Sequence, residues 1–415
     1  MKKLRIGLLG CGPIAQNAHL PAIEKARDVH LQAIADTDPA LRTQVGQRYG
    51  VETIYEHSDQ LFADANVDLV VLAVGDRLHV PLAAHAIEAG KHVLVEKPLG
   101  ISTQECEKLR FLVPPERIFA VGCNRRFLPG VRAAKAFAAR SQSIATYSAF
   151  YYDSTFRHRV TQPNLFPREI KNSGRVMKDP GTDWKTTDRR IYNLLTHSPH
   201  LLDLAGYLVG RIEKVRAIHR ERDISSSEAE PRIVSQVWHI DVGFAAKPGE
   251  NEGAVGHFEL VLPRHGEFAE GFKLESNLGR ALVEYPYVWF QREERVEIYY
   301  AATRTVSRPD GQDANTFRLQ LESLADAILH GTQPVNASLE DGIAVVKAMV
   351  AIGHSGRNGG AWVKVDEVEG DLEHSTLKPS EQVAARPIGC HAYLDSPGLG
   401  YFHDSLTGGG TRQPN

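Results

Sequence analysis

The stretch Leu4-Arg5-Ile6-Gly7-Leu8-Leu9-Gly10-Cys11-Gly12-Pro13-Ile14-Ala15 decides the fold of this 415-residue chain. Its first six residues predict a short buried strand, and we expect a helix after the turn, to about Ala26. Between them lies Gly-x-Gly-x-x-Ala, the alanine-ended form of the dinucleotide-binding fingerprint. Gly10 permits the tight turn, Gly12 lets the backbone approach a pyrophosphate, and Ala15 keeps the helix close to the strand. Because N–H groups at the helix start attract phosphate, the predicted cofactor contacts here are Gly10, Gly12, Pro13, Ile14 and Ala15.

A carboxylate follows at the position where such folds bind ribose. The second predicted strand, His30–Ala35, ends at Asp36, 26 residues after Gly10. A carboxylate there accepts hydrogen bonds from ribose hydroxyls and repels a 2′-phosphate, so the sequence favours NAD over NADP. The alternative is that Asp36 only caps the turn that leads to Pro39.

Strands and helices continue to alternate along the first third of the chain. Further apolar strands are predicted at Asp68–Val74, Lys91–Glu96 and Ile118–Cys123, with a helix at Pro81–Ala89. Such alternation is typical of a parallel sheet covered on both faces. We therefore predict an α/β, doubly wound Rossmann domain over residues 1–125, with its ligand at the carboxyl ends of the strands.

The pattern changes from about Ser143 onward. Period-2 alternation predicts strands at Ile144–Tyr152, Lys214–Ile218, Ile233–Phe244, His257–Leu262, Gly271–Asn277, Arg280–Tyr285 and Arg295–Tyr300, and helices at Thr316–His330 and Leu339–Ser355. This composition predicts an α+β domain over 126–367, built on an open, mostly antiparallel sheet. Residues 368–415 are rich in Pro, Gly and Ser, and we expect a partly mobile extension.

Composition excludes several classes of protein. Lys plus Arg total 48 against 51 Asp plus Glu, so the net charge of −3 argues against a nucleic-acid partner. The four cysteines, Cys11, Cys106, Cys123 and Cys390, are too few and too scattered for a disulfide scaffold or a zinc cluster, and we predict no metal. No apolar run approaches the roughly 20 residues that span a bilayer. The apolar stretch before Cys11 is shorter than the roughly 7–15 residues of a secretion signal, so we expect a cytoplasmic protein without a membrane partner.

Three segments together resemble the GFO/IDH/MocA family, which includes glucose–fructose oxidoreductase and inositol dehydrogenase. They are the glycine turn with Asp36, the stretch Gly90–Leu99 with Glu96-Lys97-Pro98 at its core, and Asn124-Arg125-Arg126-Phe127. The resemblance extends from residue 1 to about 367. It implies an NAD(P) cofactor and hydride transfer at a secondary hydroxyl of a sugar, glycoside or cyclitol. It also implies a homodimer or homotetramer formed through the second sheet.

Lys97 stands at the carboxyl end of a predicted strand, where a doubly wound sheet presents groups to its ligand. A partly desolvated lysine loses its proton readily and could exchange it with a substrate hydroxyl. The resemblance implies this acid–base or positioning role for Lys97. It also places Glu96, Lys97, Asn124 and Arg125 at the cofactor, with Asn124 bordering substrate. The alternative is an ordinary surface lysine.

A helix predicted from Ile191 to about Val209 has two unlike sides. At 100° per residue its leucines share one side. The opposite stripe is formed by Asn193, Thr196, His200, Asp203 and Tyr207. An imidazole titrates near neutral pH, so His200 is the predicted base, assisted by Lys97.

The family commonly carries Asp-x-x-x-His-x-x-Asp on this helix. His200 and Asp203 match its last two positions, but Thr196 stands in place of the first Asp. Either another group replaces that carboxylate or the proton relay is simpler. Thr196 and the adjacent His197 are predicted substrate contacts, beside Lys97 and His200; a solvated histidine on an exposed face is the alternative.

Segment 154–190 contains six Arg and three Lys but only four acidic residues. It lacks clear periodicity, and long loops in compact domains are often functional. We predict substrate contacts from Arg157, Trp184 or Lys185, which would suit a substrate with a negative group. A loop packed on a neighbouring subunit is the alternative.

Two rival functions stay open. In one, the chain keeps NAD bound and cleaves a glycosidic bond by transient oxidation and elimination. In the other, it is a cofactor-binding sensor that has lost catalysis, although the presence of both Lys97 and His200 speaks against this.

Overall fold

A computed structural model of the chain describes residues 2–155, 169–170, 188–226, 232–250, 252–286, 293–309 and 315–377. Its first sheet has six strands: β1 (Leu4–Leu9), β2 (Val29–Ala35), β3 (Thr53–Tyr55), β4 (Leu69–Leu72), β5 (His92–Val95) and β6 (Phe119–Val121). The order is β3-β2-β1-β4-β5-β6, and every neighbouring pair is parallel. This confirms the predicted doubly wound sheet. β3 has no counterpart among the predicted strands, because three half-buried residues give too short a pattern to identify.

Five helices belong to this part of the chain: α1 (Leu20–Lys25), α2 (Pro39–Tyr49), α3 (Ser58–Ala63), α4 (His79–Glu88) and α5 (Thr103–Lys108). A sixth helix, α6 (Pro129–Arg140), follows β6 and packs against the second sheet. The predicted helix after the glycine turn begins with a π-helical turn at Ala15–His19 and continues as α1. α2 begins where the Asp38 side chain accepts hydrogen bonds from the N–H groups of Ala40 and Leu41.

The second sheet has nine strands: β7 (Ile144–Ser154), β8 (Ile212–Asp223), β9 (Val234–Phe244), β10 (Val255–Arg264), β11 (Ala269–Ser276), β12 (Gly279–Tyr285), β13 (Arg295–Tyr300), β14 (Thr305–Ser307) and β15 (Val363–Lys364). Their order is β14-β13-β12-β11-β7-β10-β9-β8-β15, and only the pair of β7 and β10 is parallel among these strands. The predicted mostly antiparallel sheet is therefore confirmed. The unpredicted β14 and β15 are three and two residues long, at the sheet edges.

Four more helices complete the described structure: α7 (Arg189–Leu208), α8 (Thr316–His330), α9 (Leu339–Arg357) and α10 (Leu372–Thr376). α9 packs on β8 and α7, and α10 packs on α9. α8 lies against α1 and the first sheet, where Phe317, Leu321 and Leu324 join the apolar core of the first domain. The chain thus crosses back to the first domain after the second sheet. None of the helices in the described ranges has the length and apolar character needed to cross a bilayer.

Candidate active site

The glycine turn leaves open space at the end of β1. Gly10 has a φ of +94°, and a Cβ there would lie 2.4 Å from the carbonyl oxygen of Ala73, so only glycine is tolerated. By contrast, a Cβ at Gly12 would meet no atom within 4 Å. This open approach to backbone N–H groups is what a pyrophosphate requires.

Asp36 lies beside this turn at the end of β2. Its Oδ2 accepts a hydrogen bond from the N–H of Cys11 at 2.7 Å, and its Oδ1 accepts one from the N–H of Asp38 at 2.8 Å. The second bond caps the turn that leads to Pro39. The first fixes the carboxylate against the glycine turn, where a ribose would lie. Both interpretations of Asp36 are therefore compatible with its position.

Glu96 links the glycine turn to the end of β5. Its Oε1 lies 2.7 Å from Nε2 of the buried His19, and its Oε2 accepts a 3.2 Å hydrogen bond from the N–H of Lys97. Burial opposes the charge of Glu96, but the hydrogen bond and charge of His19 hold its pKa below the ordinary value. Glu96 thus orients the main chain that carries Lys97.

Lys97 meets α7 across the space between the two sheets. It is half-buried, precedes a cis peptide bond to Pro98, and its Nζ donates a 3.2 Å hydrogen bond to the carbonyl oxygen of Thr196. Thr196, which stands in place of the family's first Asp, thus contacts Lys97 through its backbone carbonyl. The structure thus brings the end of β5 into contact with α7, about a hundred residues further along the sequence.

His200 lies one turn further along α7 and is 9% exposed. Within the described residues its Nδ1 has no hydrogen-bond partner. Burial lowers the pKa of His200 well below its ordinary value, and the positive charges of Arg125 and Lys97 lower it further. Burial therefore favours the neutral form of His200, beside Lys97.

Because His200 stays neutral, its burial should make stability depend on pH. Below its ordinary pKa of about 6.5, the unfolded chain binds a proton that the folded chain excludes, so stability falls as pH falls. Relative to His200→Gln, the wild type should lose up to about 1.4 kcal/mol of unfolding free energy per pH unit below about pH 5.5. Urea unfolding at several pH values measures this; parallel curves for the two proteins would contradict it.

Asn124 and Arg125 lie in a buried helical turn between the domains. Nδ2 of Asn124 donates a 3.1 Å hydrogen bond to Oγ1 of Thr316. The Arg125 guanidinium pairs with the fully buried Glu270 at 3.0 Å and lies 5.7 Å from the centre of the Tyr285 ring. Their predicted contacts with cofactor and substrate remain predictions.

The Asp203 carboxylate forms an ion pair with Arg126 and not with His200. Its two carboxylate oxygens accept hydrogen bonds from Arg126 at 2.7 and 2.9 Å, and Arg126 also reaches Asp341 at 3.2 Å. Asp203 is only 2% exposed. The predicted polar stripe of α7 is thus mostly buried, and its Asp203 and Tyr207 face Arg126.

The structure adds two carboxylates that sequence reasoning missed. Asp153 on β7 is 1% exposed, and its Oδ2 lies 4.0 Å from Nε2 of His197, whose ring is also 4.9 Å from that of Tyr151. Glu270 on β11 is the partner of Arg125. A signal existed for Asp153, because it continues the inward-facing series of alternate residues on β7. His197 therefore lies beside a carboxylate supplied by another element.

Three predicted substrate contacts, Arg157, Trp184 and Lys185, lie outside the described residues. Among those that are described, no group of three or more His, Cys, Asp or Glu side chains could hold a metal ion.

Comparisons with known proteins agree with this geometry. Residues 4–114 match the GFO/IDH/MocA model, described as an oxidoreductase family with an NAD-binding Rossmann fold. An uncharacterized oxidoreductase, ORF334, of Rhizobium meliloti is 24% identical over 368 residues, covering 86% of this chain and 98% of that protein. The levoglucosan dehydrogenase of Pseudarthrobacter phenanthrenivorans is 25% identical over 371 residues, covering 81% and 85%.

A shorter match and a solved structure add to this. Inositol 2-dehydrogenase of Rhizobium meliloti is 32% identical over 133 residues, which are 32% of this chain and 39% of that protein. The scyllo-inositol dehydrogenase of Lactobacillus casei, solved with NAD(H) and scyllo-inositol, has the same fold, with a TM-score of 0.64 and 21% identity over 88% of this chain and 100% of that one.

The Rossmann sheet, its glycine turn and these matches define an NAD-dependent oxidoreductase. The resemblance to the GFO/IDH/MocA family is thus supported by the family model over residues 4–114 and by the oxidoreductases that match most of the chain.

Proposed function

We propose that this protein interconverts a secondary alcohol and a ketone on a sugar, glycoside or cyclitol, with NAD as hydride carrier. The observation that supports it best is the hydrogen bond from Lys97 to the carbonyl oxygen of Thr196 on α7, one turn from the neutral His200. Lys97 follows the carboxyl end of β5, at the edge of the sheet where this fold binds its ligands, and His200 lies one turn from the residue of α7 that Lys97 contacts. Relatives that act as levoglucosan and inositol dehydrogenases support the substrate class.

The glycine turn and Asp36 would hold the cofactor. The turn is open at Gly12, and the Asp36 carboxylate lies where ribose hydroxyls can donate to it. The same negative charge disfavours a 2′-phosphate, which supports NAD over NADP. When bound, NAD supplies a hydride acceptor at C4 of its nicotinamide.

The chain's own residues would manage the proton of the substrate hydroxyl. The imidazole of His200, one turn from Thr196 on α7, can accept that proton. Lys97, held by the carbonyl of Thr196, places positive charge where the oxygen becomes negative. His197 with Asp153 offers a further donor and acceptor for a ligand with several hydroxyls.

Oligomerisation and location complete the proposal. A homodimer or homotetramer would form through the nine-stranded sheet, whose outward positions expose Ile218 and Val255 by 42% and 59%. We propose a cytoplasmic protein, and substrate contacts from Arg157, Trp184 and Lys185 that favour a negative group.

The test is NADH formation across a panel of polyols, aldoses, uronates and glycosides. We expect turnover on one class, at least about tenfold slower with NADP, since a tenfold preference corresponds to only about 1.4 kcal/mol. A tenfold preference for NADP would contradict the role of Asp36. Release of an aglycone without net NADH would indicate elimination instead, and a protein that binds NAD but turns over none of these compounds would point to a sensor.

A further inference from the structure

Two residues from the segment between β7 and α7 dock on the helical turn that follows the glycine turn. The side-chain amide of Gln16 bonds both polar groups of the Ile170 backbone. The N–H of Ile170 donates to Oε1 of Gln16 at 2.8 Å, and Nε2 of Gln16 donates to the Ile170 carbonyl at 3.0 Å. Beside it, Nδ2 of Asn17 donates to Oε2 of Glu169 at 2.8 Å.

Gln16 also holds the glycine turn itself. Its Nε2 donates a second hydrogen bond, of 2.9 Å, to the carbonyl oxygen of Cys11. The N–H of Cys11 donates in turn to Asp36. A chain of hydrogen bonds therefore runs from Ile170 through Gln16 and Cys11 to Asp36, and it includes the glycine turn proposed to bind the dinucleotide.

Burial makes this contact strong. Gln16 is 5% exposed, so its amide has little access to water as a substitute partner. The Ile170 side chain packs against the apolar core of the first domain. The docked pair thus combines apolar and hydrogen-bonded contacts, although it comes from a segment whose two ends are a strand of the second sheet and the helix that carries His200.

We propose that Gln16 and Asn17 are positioning residues that couple the affinity for the cofactor to the docking of Glu169–Ile170. When this pair is docked, release of NAD is slower. The inference rests on the proposed function for the identity of the dinucleotide. A turn already held in its binding conformation loses less freedom when the ligand arrives. Linkage then requires the reverse effect: bound NAD must strengthen the docking of Glu169–Ile170 to the same degree.

Stopped-flow dissociation of NADH, with equilibrium titration of NAD, tests the coupling in the full chain. Gln16→Leu removes both bonds to Ile170 and should raise the Kd for NAD about tenfold, mainly through faster release. Asn17→Ala and Glu169→Ala should each raise it about threefold, and their combination should do no more, because both remove the same contact. Gln44→Leu, an exposed glutamine on α2, is the matched control.

Hydrogen exchange at the Ile170 amide gives a readout that does not depend on activity. NAD should slow this exchange in the wild type, and the effect should disappear in Gln16→Leu. Because Gln16→Leu also removes the hydrogen bond to the Cys11 carbonyl, Glu169→Ala tests the same docking contact from the other side. Unchanged NAD affinity and release in Glu169→Ala and Gln16→Leu, with a wild type that binds NAD, would overturn the coupling alone. A wild type that binds no NAD would overturn the proposed function, and the coupling with it.

Discussion

Replacing Lys97 with methionine should lower kcat/KM by about a thousandfold, the upper end of the range for losing one group that stabilises a developing oxyanion. Methionine keeps most of the length of the side chain but removes the ammonium that Thr196 holds. The substitution should leave NAD affinity within about threefold, because Lys97 lies at the end of β5 and not at the glycine turn. Initial rates on the substrate found in the panel, together with NAD titration, measure the two effects.

Two further variants serve as controls for Lys97→Met. Lys108→Met removes an exposed lysine of α5 and should leave both constants unchanged. Lys97→Arg keeps the positive charge but cannot release a proton at working pH, so it separates charge stabilisation from proton transfer. An activity loss in Lys97→Met of less than tenfold would contradict the role given to Lys97.

The fold was predictable because its signals are local. Apolar strands that alternate with helices predicted the parallel sheet, and period-2 patterns predicted the antiparallel one. The strands absent from the prediction are short: β3, β14 and β15 have three, three and two residues. Their pairing depends on neighbours that are already in place, and that information is not local. The docking of α8 on the first sheet is long-range for the same reason.

The candidate site was predictable only where motifs mark it. Lys97 and His200 come from recognisable segments, and their approach follows from the fold. Asp153 and Glu270 belong to strands with many inward positions, and the pattern cannot tell which of these face α7. Thr196 shows another limit, because it contacts Lys97 through its carbonyl oxygen, which every residue type possesses.

The polar stripe of α7 is buried because the turn after β6 packs against it. Arg126 emerges from the turn after β6 and donates to both oxygens of Asp203. Burial opposes its charge, but the attraction and hydrogen bonds of Asp203 hold the pKa of Arg126 above its ordinary value. An amphipathic wheel identifies a polar side without showing whether water or an arginine covers it.

Replacing Arg126 with methionine should therefore lower the free energy of unfolding by about 3–5 kcal/mol. The variant leaves Asp203, which is 2% exposed, without its cation in a buried site. Urea unfolding at pH 7 measures the change. Arg132→Met on α6 is the matched control; this exposed arginine should alter stability by no more than about 0.5 kcal/mol.

A double variant separates the loss of the pair from the cost of an unpaired charge. Arg126→Met with Asp203→Leu removes both charges, and stability should recover by about 2 kcal/mol or more over Arg126→Met alone. Equal destabilisation in the single and double variants would contradict the unpaired-charge explanation. Because Asp203 lies one turn from His200 on α7, activity in the stable double variant also tests whether this ion pair holds the base in place. Recovered stability with a lower kcat would assign that positioning role to the pair.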